Sequence, residues 1–364
     1  MIREFGIEAS LGTLAQLTQG VIGLALLLVA HQAGLSVTTG AVAVAAYALG
    51  MSVGRPTQGR ALDRFPAASV IVGCGVGHGL CYVLLAVVAH QRLAALFVLA
   101  ALGAGLTLPP IATQMRAVWP ATRPASAAPR VFATITMLQT VSVLMAPVLF
   151  TIVQVASTPT IAMLVVAGVS AVCTVGFGLV CWSGPVRAGG RTRVHHYLVL
   201  LVGTAFIGAV TGSLEVVAPA LAIASGHAAA AGVLAIVATA GTLTGALVAM
   251  RRPVSAYVAL ALQVVGAAVL LVPSSLVVAG IGLAVLGTGV TPTLALLSTA
   301  VSRRAGGTAE SFGWQSTALG LGVTGGSALA GLLASVAAHL SALPCLVGAL
   351  VTLPVAGQAL RPSR

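Results

Sequence analysis

The chain of 364 residues holds five carboxylates, and one of them, Glu215, stands inside the apolar run FIGAVTGSLEVVAPALA. An acid in such a run is costly to bury and marks a functional site by default. At helical spacing it shares a face with Thr204, Gly208 and Thr211. A carboxyl placed there can carry a proton or meet a cationic group; it can equally reach the outer membrane surface or pair structurally. A second stripe, Glu8, Gly12, Gln16, Gln19 and Gly23, recurs at the same spacing near the N-terminus. Cys74, His78 and Cys81 also share a face, as converging soft-metal ligands would. Side chains filling a helix interface account for that triplet more simply, so no metal is expected. The stretch GRPTQGRALDRFP, residues 54–66, gathers Arg55, Arg60 and Arg64 around the one aspartate, Asp63. No GxSxG, HExxH or P-loop pattern appears, so the chain does not read as an enzyme and no cofactor is expected.

These residues need elements to hold them, and the composition says what kind. Hydrophobic residues make up 59% of the chain, charged residues 6%, and the mean hydropathy is +1.10. A soluble domain is nearer a quarter charged, so the fold class is an all-α polytopic membrane protein. Taking about 20 residues per crossing, the apolar runs give twelve spans. They lie near 9–31, 37–60, 66–89, 93–115, 130–155, 159–182, 196–222, 228–250, 253–272, 275–301, 309–335 and 340–359. The first run is too long for the core of a signal peptide. The shortest connections, at 222–228 and 271–276, are the least marked.

All the positive charge is arginine, and the net charge is +12. With the N-terminus in the cytoplasm, Arg92 alone of the seventeen arginines falls outside. That is the positive-inside pattern, and it accounts for the basic balance without nucleic acid. Both termini are then cytoplasmic, in a multi-pass protein of the cytoplasmic membrane. Trp119, Trp182, Tyr197 and Tyr257 fall near the cytoplasmic ends, as an interfacial aromatic belt would. The segment 183–195 divides six spans from six. GAGLTLPP at Gly103 echoes GTGVTPT at Gly287 (287 − 103 = 184), and Phe132 echoes Phe312 (312 − 132 = 180). The expected layout is therefore two pseudo-symmetric six-helix bundles, residues 1–182 and 196–364, joined by that linker. Glycine pairs Gly241/Gly245 and Gly322/Gly326 are spaced for close helix approach.

Gly59-Arg60-Ala61-Leu62-Asp63-Arg64, between the second and third spans, resembles the signature loop of the major facilitator superfamily. Gly59, Asp63 and Arg64 match its first fixed positions; Pro66, Ala67 and Ala68 depart from the glycine and basic pair that follow. The resemblance covers essentially the whole chain and implies a secondary active transporter that works by alternating access. It implies that Gly59, Asp63 and Arg64 form a cytoplasmic latch, with Asp63 meeting the start of the eleventh span near Ala309–Phe312. It also implies that the first and seventh spans line a central cavity. Gln16 and Gln19, Thr136 and Gln139 in the fifth span, Thr211 in the seventh, and Trp314 and Gln315 in the eleventh would then contact substrate, or bond helix to helix. The fifth span lacks the glycine run of antiporters, and the fourth has no intramembrane arginine. GSLEVVAPA and AESFGWQSTALG look like segments of bacterial efflux-type members. The expectation is a monomer that moves a small molecule, in the efflux direction, coupled to protons through Glu215. The alternative is a non-transporting scaffold or sensor that keeps the fold.

Overall fold

The computed structural model describes residues 6–180, 194–227, 230–273 and 275–359, and helices account for nearly all of them. The linker residues 183–193, with Cys181, Trp182, Arg3 and Arg361, lie outside the described residues. The first span is two helices, α1 (Gly6–Leu14) and α2 (Leu17–Gln32), separated at Ala15–Gln16. At that break the Gln16 amide turns back to donate to the Gly12 carbonyl at 2.7 Å. Ser36 opens α3 (Val37–Arg64) by accepting from the Thr39 N–H at 3.0 Å. Then come α4 (Ala67–His90) and the fourth span, again in two pieces: α5 (Ala94–Leu106) and α6 (Ile111–Val118). Pro109 and Pro110 stand between the pieces, where neither can donate the backbone hydrogen bond that a continuous helix needs. The first half of the chain closes with α7 (Ala128–Ala156) and α8 (Pro159–Val180).

In the second half, α9 (Leu198–Ala224), α10 (Ala230–Arg251), α11 (Ala256–Leu271), α12 (Leu276–Arg304), α13 (Ala309–Val336) and α14 (Leu343–Ala359) follow. Both of the least marked connections are real breaks. Gly226, at φ +74°, turns the chain after α9, and Ser275 caps α12. Ten segments of the described residues are long and apolar enough to cross a membrane. The two remaining helices in the sequence of spans are α3 and the 16-residue α11.

Backbone contacts group the described residues into two compact units, 6–115 with 138–180, and 116–137 with 194–359. In the first, glycines let helices touch backbone to backbone. A Cβ on Gly50 or Gly54 would strike the Leu102 or Leu106 carbonyl of α5, and one on Gly105 would strike the Tyr47 carbonyl of α3. In the second, Gly322 and Gly326 of α13 abut Ala205 and Ala209 of α9, while Gly241 and Gly245 of α10 abut Ala284 and Thr288 of α12. Both glycine pairs thus have the role their spacing predicts. Between helices in lipid, where burial from water adds little, such close van der Waals approach is the main attraction.

The repeat is visible in hydrogen bonds as well as in letters. His78 of α4 bonds the Ala104 carbonyl of α5 at 2.8 Å, and Gln263 of α11 bonds the Gly289 carbonyl of α12 at 3.0 Å. Each bond reaches 26 residues along the chain, and the two are one repeat apart at both ends (263 − 78 = 185; 289 − 104 = 185). Phe132 and its echo Phe312 meet ring to ring, with centroids 5.6 Å apart.

Candidate functional site

α9 is the hub of the second unit, with α10, α12, α13 and α14 packed around it. From Gly203 to Ala222 its residues are buried or half-buried, with one exception: Glu215 is exposed. The helix is covered by its neighbours nearly all round, and the acid stands on the sector they leave. Among the described residues no hydrogen bond or ion pair engages it. One turn below, Thr211 is half-buried and donates to the Ile207 carbonyl at 3.0 Å. Further down the same face, a Cβ on Gly208 would strike the Leu319 carbonyl, and Thr204 is fully buried. The polar stripe therefore divides, its lower part sealed against α13 and its upper end open.

At the sealed end, Gln315 of α13 is wholly buried and donates to Ser298 of α12 at 3.1 Å and to Thr204 at 3.5 Å. Its own Oε1 and the indole Nε1 of half-buried Trp314 are buried without partners among the described residues. Thr136, in the part of α7 that groups with this unit, donates to the Phe132 carbonyl at 3.0 Å. Gln139 is half-buried one turn on.

In the first unit, Gln16 is buried at the α1–α2 break, where its amide bonds its own helix rather than facing open space. Gln19 is half-buried and accepts from the Arg55 guanidinium at 3.0 Å. Gly59, Asp63 and Arg64 lie not in a loop but in the last turns of α3, which runs on to Arg64. Gly59 and Asp63 are buried and Arg64 is exposed. Pro66 is the N-cap residue of α4 and makes no side-chain cap bond of its own.

Two sequence expectations change here. Trp119 and Tyr197 are 3% and 1% exposed, so they are core side chains rather than members of an interfacial belt. Arg55, assigned to the cytoplasmic charge bias, is nine residues inside α3 and hydrogen-bonded to another helix. That position puts it about 13 Å up the helix axis from Arg64. The signal was present in the sequence: a second span read as 37–60 already contained Arg55. His78, by contrast, is the satisfied packing histidine that its helix suggested, held by Ala104 and by Thr18 at 3.1 Å.

The sequence profile of the Major Facilitator Superfamily matches residues 9–327. No curated protein matches the chain. Among solved structures, it is similar to a bacterial homologue of the iron transporter ferroportin in an outward-facing state, at 14% identity and TM-score 0.75, covering 96% of this chain and 98% of that one. It is similar to the Escherichia coli fucose:proton symporter FucP (N162A) at 13% identity and TM-score 0.72, covering 99% of each chain. It is also similar to the human organic anion transporter MFSD10 (TETRAN) at 15% identity and TM-score 0.70, covering 98% of this chain and 97% of that one. Glycine-seamed helices, a repeated helix pattern and a profile match across most of the chain converge: this multi-pass membrane protein is a transporter rather than an enzyme, and it belongs to the major facilitator superfamily.

Proposed function

We propose that the chain is a proton-coupled secondary transporter that exports a small molecule across the cytoplasmic membrane. Twelve spans form two six-helix bundles, residues 1–182 and 196–364, with both termini in the cytoplasm and the monomer as the working unit. Alternating access moves the cargo past a site between pseudo-equivalent spans. The observation that carries the coupling role is Glu215, the one exposed residue along the enclosed stretch of α9, without a hydrogen-bonding or ionic partner among the described residues. A carboxyl so placed can load and release a proton without first breaking an internal bond. The fold is shared with a fucose:proton symporter, which supports coupling to protons as chemistry this architecture can perform. Gly59, Asp63 and Arg64, at the cytoplasmic end of α3, act as the latch, and the polar side chains of Gln16, Gln19, Thr136, Gln139, Thr211, Trp314 and Gln315 supply contacts for cargo.

The test begins with metabolite and drug-sensitivity profiles of cells with and without the protein, which identify cargo and direction. Purified protein in vesicles is then assayed for flux of that cargo with and without a pH gradient. Glu215→Gln is expected to abolish the gradient's effect, and normal gradient-driven flux in that variant would remove Glu215 from the mechanism. Asp63→Asn is expected to change which face of the protein admits a thiol reagent at introduced cysteines; unchanged labelling would remove the latch.

A further inference from the structure

α10, α11 and α12 pack together in the second unit, and they do not end level. α10 and α12 run in the same direction, since Gly241 abuts Ala284 and Gly245 abuts Thr288. Arg251, which closes α10, is therefore level with about residue 294 of α12 (251 − 245 = 6; 288 + 6 = 294). α12 continues ten residues more, to Arg304 (304 − 294 = 10), about 15 Å further at 1.5 Å per residue. α11 runs back the other way, and a Cβ on Gly289 of α12 would strike its Ala259 carbonyl. Its first residue, Ala256, is thus level with about residue 292 (259 − 256 = 3; 289 + 3 = 292). The turn 252–255 stops well short of the end of α12. α11 is also short in its own right. Its 16 residues span about 24 Å, less than the hydrocarbon core of about 30 Å. Such a span pulls headgroups inward at its ends or leaves its flanking residues in hydrocarbon.

The residues at that short end are charged. The Arg252 N–H still bonds the Val248 carbonyl at 2.9 Å, so Arg251 and Arg252 stay in helical register with Leu247 and Val248 one turn back. Leu247 and Val248 are exposed, as are Tyr257 and Val258 in the first turn of α11. On a spanning helix an exposed apolar face of this kind meets lipid, and Tyr257 has the place of an interfacial aromatic. Both arginines are exposed, and among the described residues neither guanidinium has a hydrogen-bond or ion-pair partner. The described carboxylates of this unit are Glu215, within α9, and Glu310, buried at the start of α13. Two unpaired cations thus stand below a lipid-facing surface, at a depth where lipid chains would otherwise reach.

One repeat earlier the same turn is built differently. Pro66 corresponds to Pro253 (66 + 187 = 253), which sets Arg64 opposite Arg251 and exposed Phe65 opposite Arg252. The helix that follows there, α4, has 24 residues, about 36 Å, enough to cross the core. The long span is preceded by one arginine and a phenylalanine, the short span by two arginines. The turn itself does not require the second charge.

We propose that the α10–α11 turn binds the headgroup of an anionic phospholipid, with Arg251 and Arg252 as ligands of its phosphate. Guanidinium groups match phosphate oxygens in pairs of parallel hydrogen bonds. The shortness of α11 brings the phosphate down to them, and Leu247, Val248 and Val258 carry the upper part of the chains. A zwitterionic headgroup would bring its own ammonium and leave the arginine pair uncompensated, whereas an anionic one does not. In the orientation proposed above this is the cytoplasmic leaflet; binding itself is independent of transport.

The test uses the full-length protein in mild detergent, titrated with phosphatidylglycerol or phosphatidylcholine of the same chains and followed by native mass spectrometry. Phosphatidylglycerol is expected to bind at least fivefold more tightly and to raise the thermal midpoint. The double variant Arg251→Gln/Arg252→Gln should bind the two lipids equally. It changes exposed, unpaired side chains, so its lipid-free midpoint should match that of the wild type. Arg251→Lys/Arg252→Lys should keep the preference, because ammonium groups also attract phosphate. Arg130→Gln, which removes another exposed arginine of the same unit, should keep it too. Equal binding of the two lipids by the wild type, or a preference that survives in the glutamine variant, overturns the proposal. Loss of the preference in the lysine variant would trace it to the shape of the turn rather than its charge, and an equal loss in Arg130→Gln would make it a diffuse surface attraction; either overturns the site. If glycerol 3-phosphate displaces the lipid at equal concentration, the ligand is a soluble phosphate ester and the lipid assignment fails.

Discussion

His78 bonds the Ala104 carbonyl through Nδ1 and Thr18 through Nε2. A carbonyl only accepts, so Nδ1 carries the proton and Nε2 accepts from the threonine hydroxyl. One repeat later Gln263 bonds the matching carbonyl with its amide. Glutamine has a donor and an acceptor too, so it can replace the histidine at both contacts. His78→Gln is therefore expected to keep the wild-type thermal midpoint. His78→Ala leaves a buried carbonyl and hydroxyl without their partner, at about 1–3 kcal/mol, and should unfold at lower temperature; equal midpoints for the two variants would break the equivalence. At this scale the sequence was readable where packing alone decides, as at His78 and the glycine pairs. It misled where the partner is distant. Nothing near Arg55 in the chain announces Gln19, 36 residues away, and a run of arginines reads as a solvated end until one is seen to point inward. Trp119 and Tyr197 failed for the related reason that aromatic residues near a helix end are chosen both for interfaces and for cores.

At the scale of helices, run lengths of apolar residues located the spans, because hydrocarbon thickness imposes them. They did not locate helix ends. α3 has 28 residues, about 42 Å at 1.5 Å per residue, which matches the full bilayer with its headgroup regions rather than the hydrocarbon core. Apolarity stops at the hydrocarbon boundary and the helix continues, so Gly59, Asp63 and Arg64 are helical where a loop was expected. Helix-to-helix spacing is set by glycines more than by side-chain volume. Gly322→Ala puts a methyl group against the Ala205 carbonyl of α9. Overpacking of this kind costs about 1–3 kcal/mol, and the variant is expected to unfold earlier in detergent than Gly325→Ala, whose added methyl meets nothing within 4 Å. Matched unfolding of the two would show that the α9–α13 seam yields readily.

At the scale of the whole chain, one interhelical hydrogen bond recurs at an offset of 185 residues, between α4 and α5 and between α11 and α12, a closer correspondence than the weak letter echoes suggested. The repeat also makes the differences informative. The first span is broken at Ala15–Gln16 and the fourth at Thr107–Pro110, whereas their counterparts α9 and α12 each run without interruption, although Pro219 and Pro292 lie inside them. A helix with a gap in its hydrogen-bond ladder bends there at little cost, and an intact one resists. The first unit thus has elbows where the second has struts. Backbone amides at 107–113 should exchange with deuterium faster than those at 291–297 in hydrogen-exchange mass spectrometry, and equal protection would remove the distinction. If the protein flexes as it works, the deformation will concentrate at the joints beside Gln19 and Arg55, while α9, the helix that holds Glu215, stays a single stiff rod.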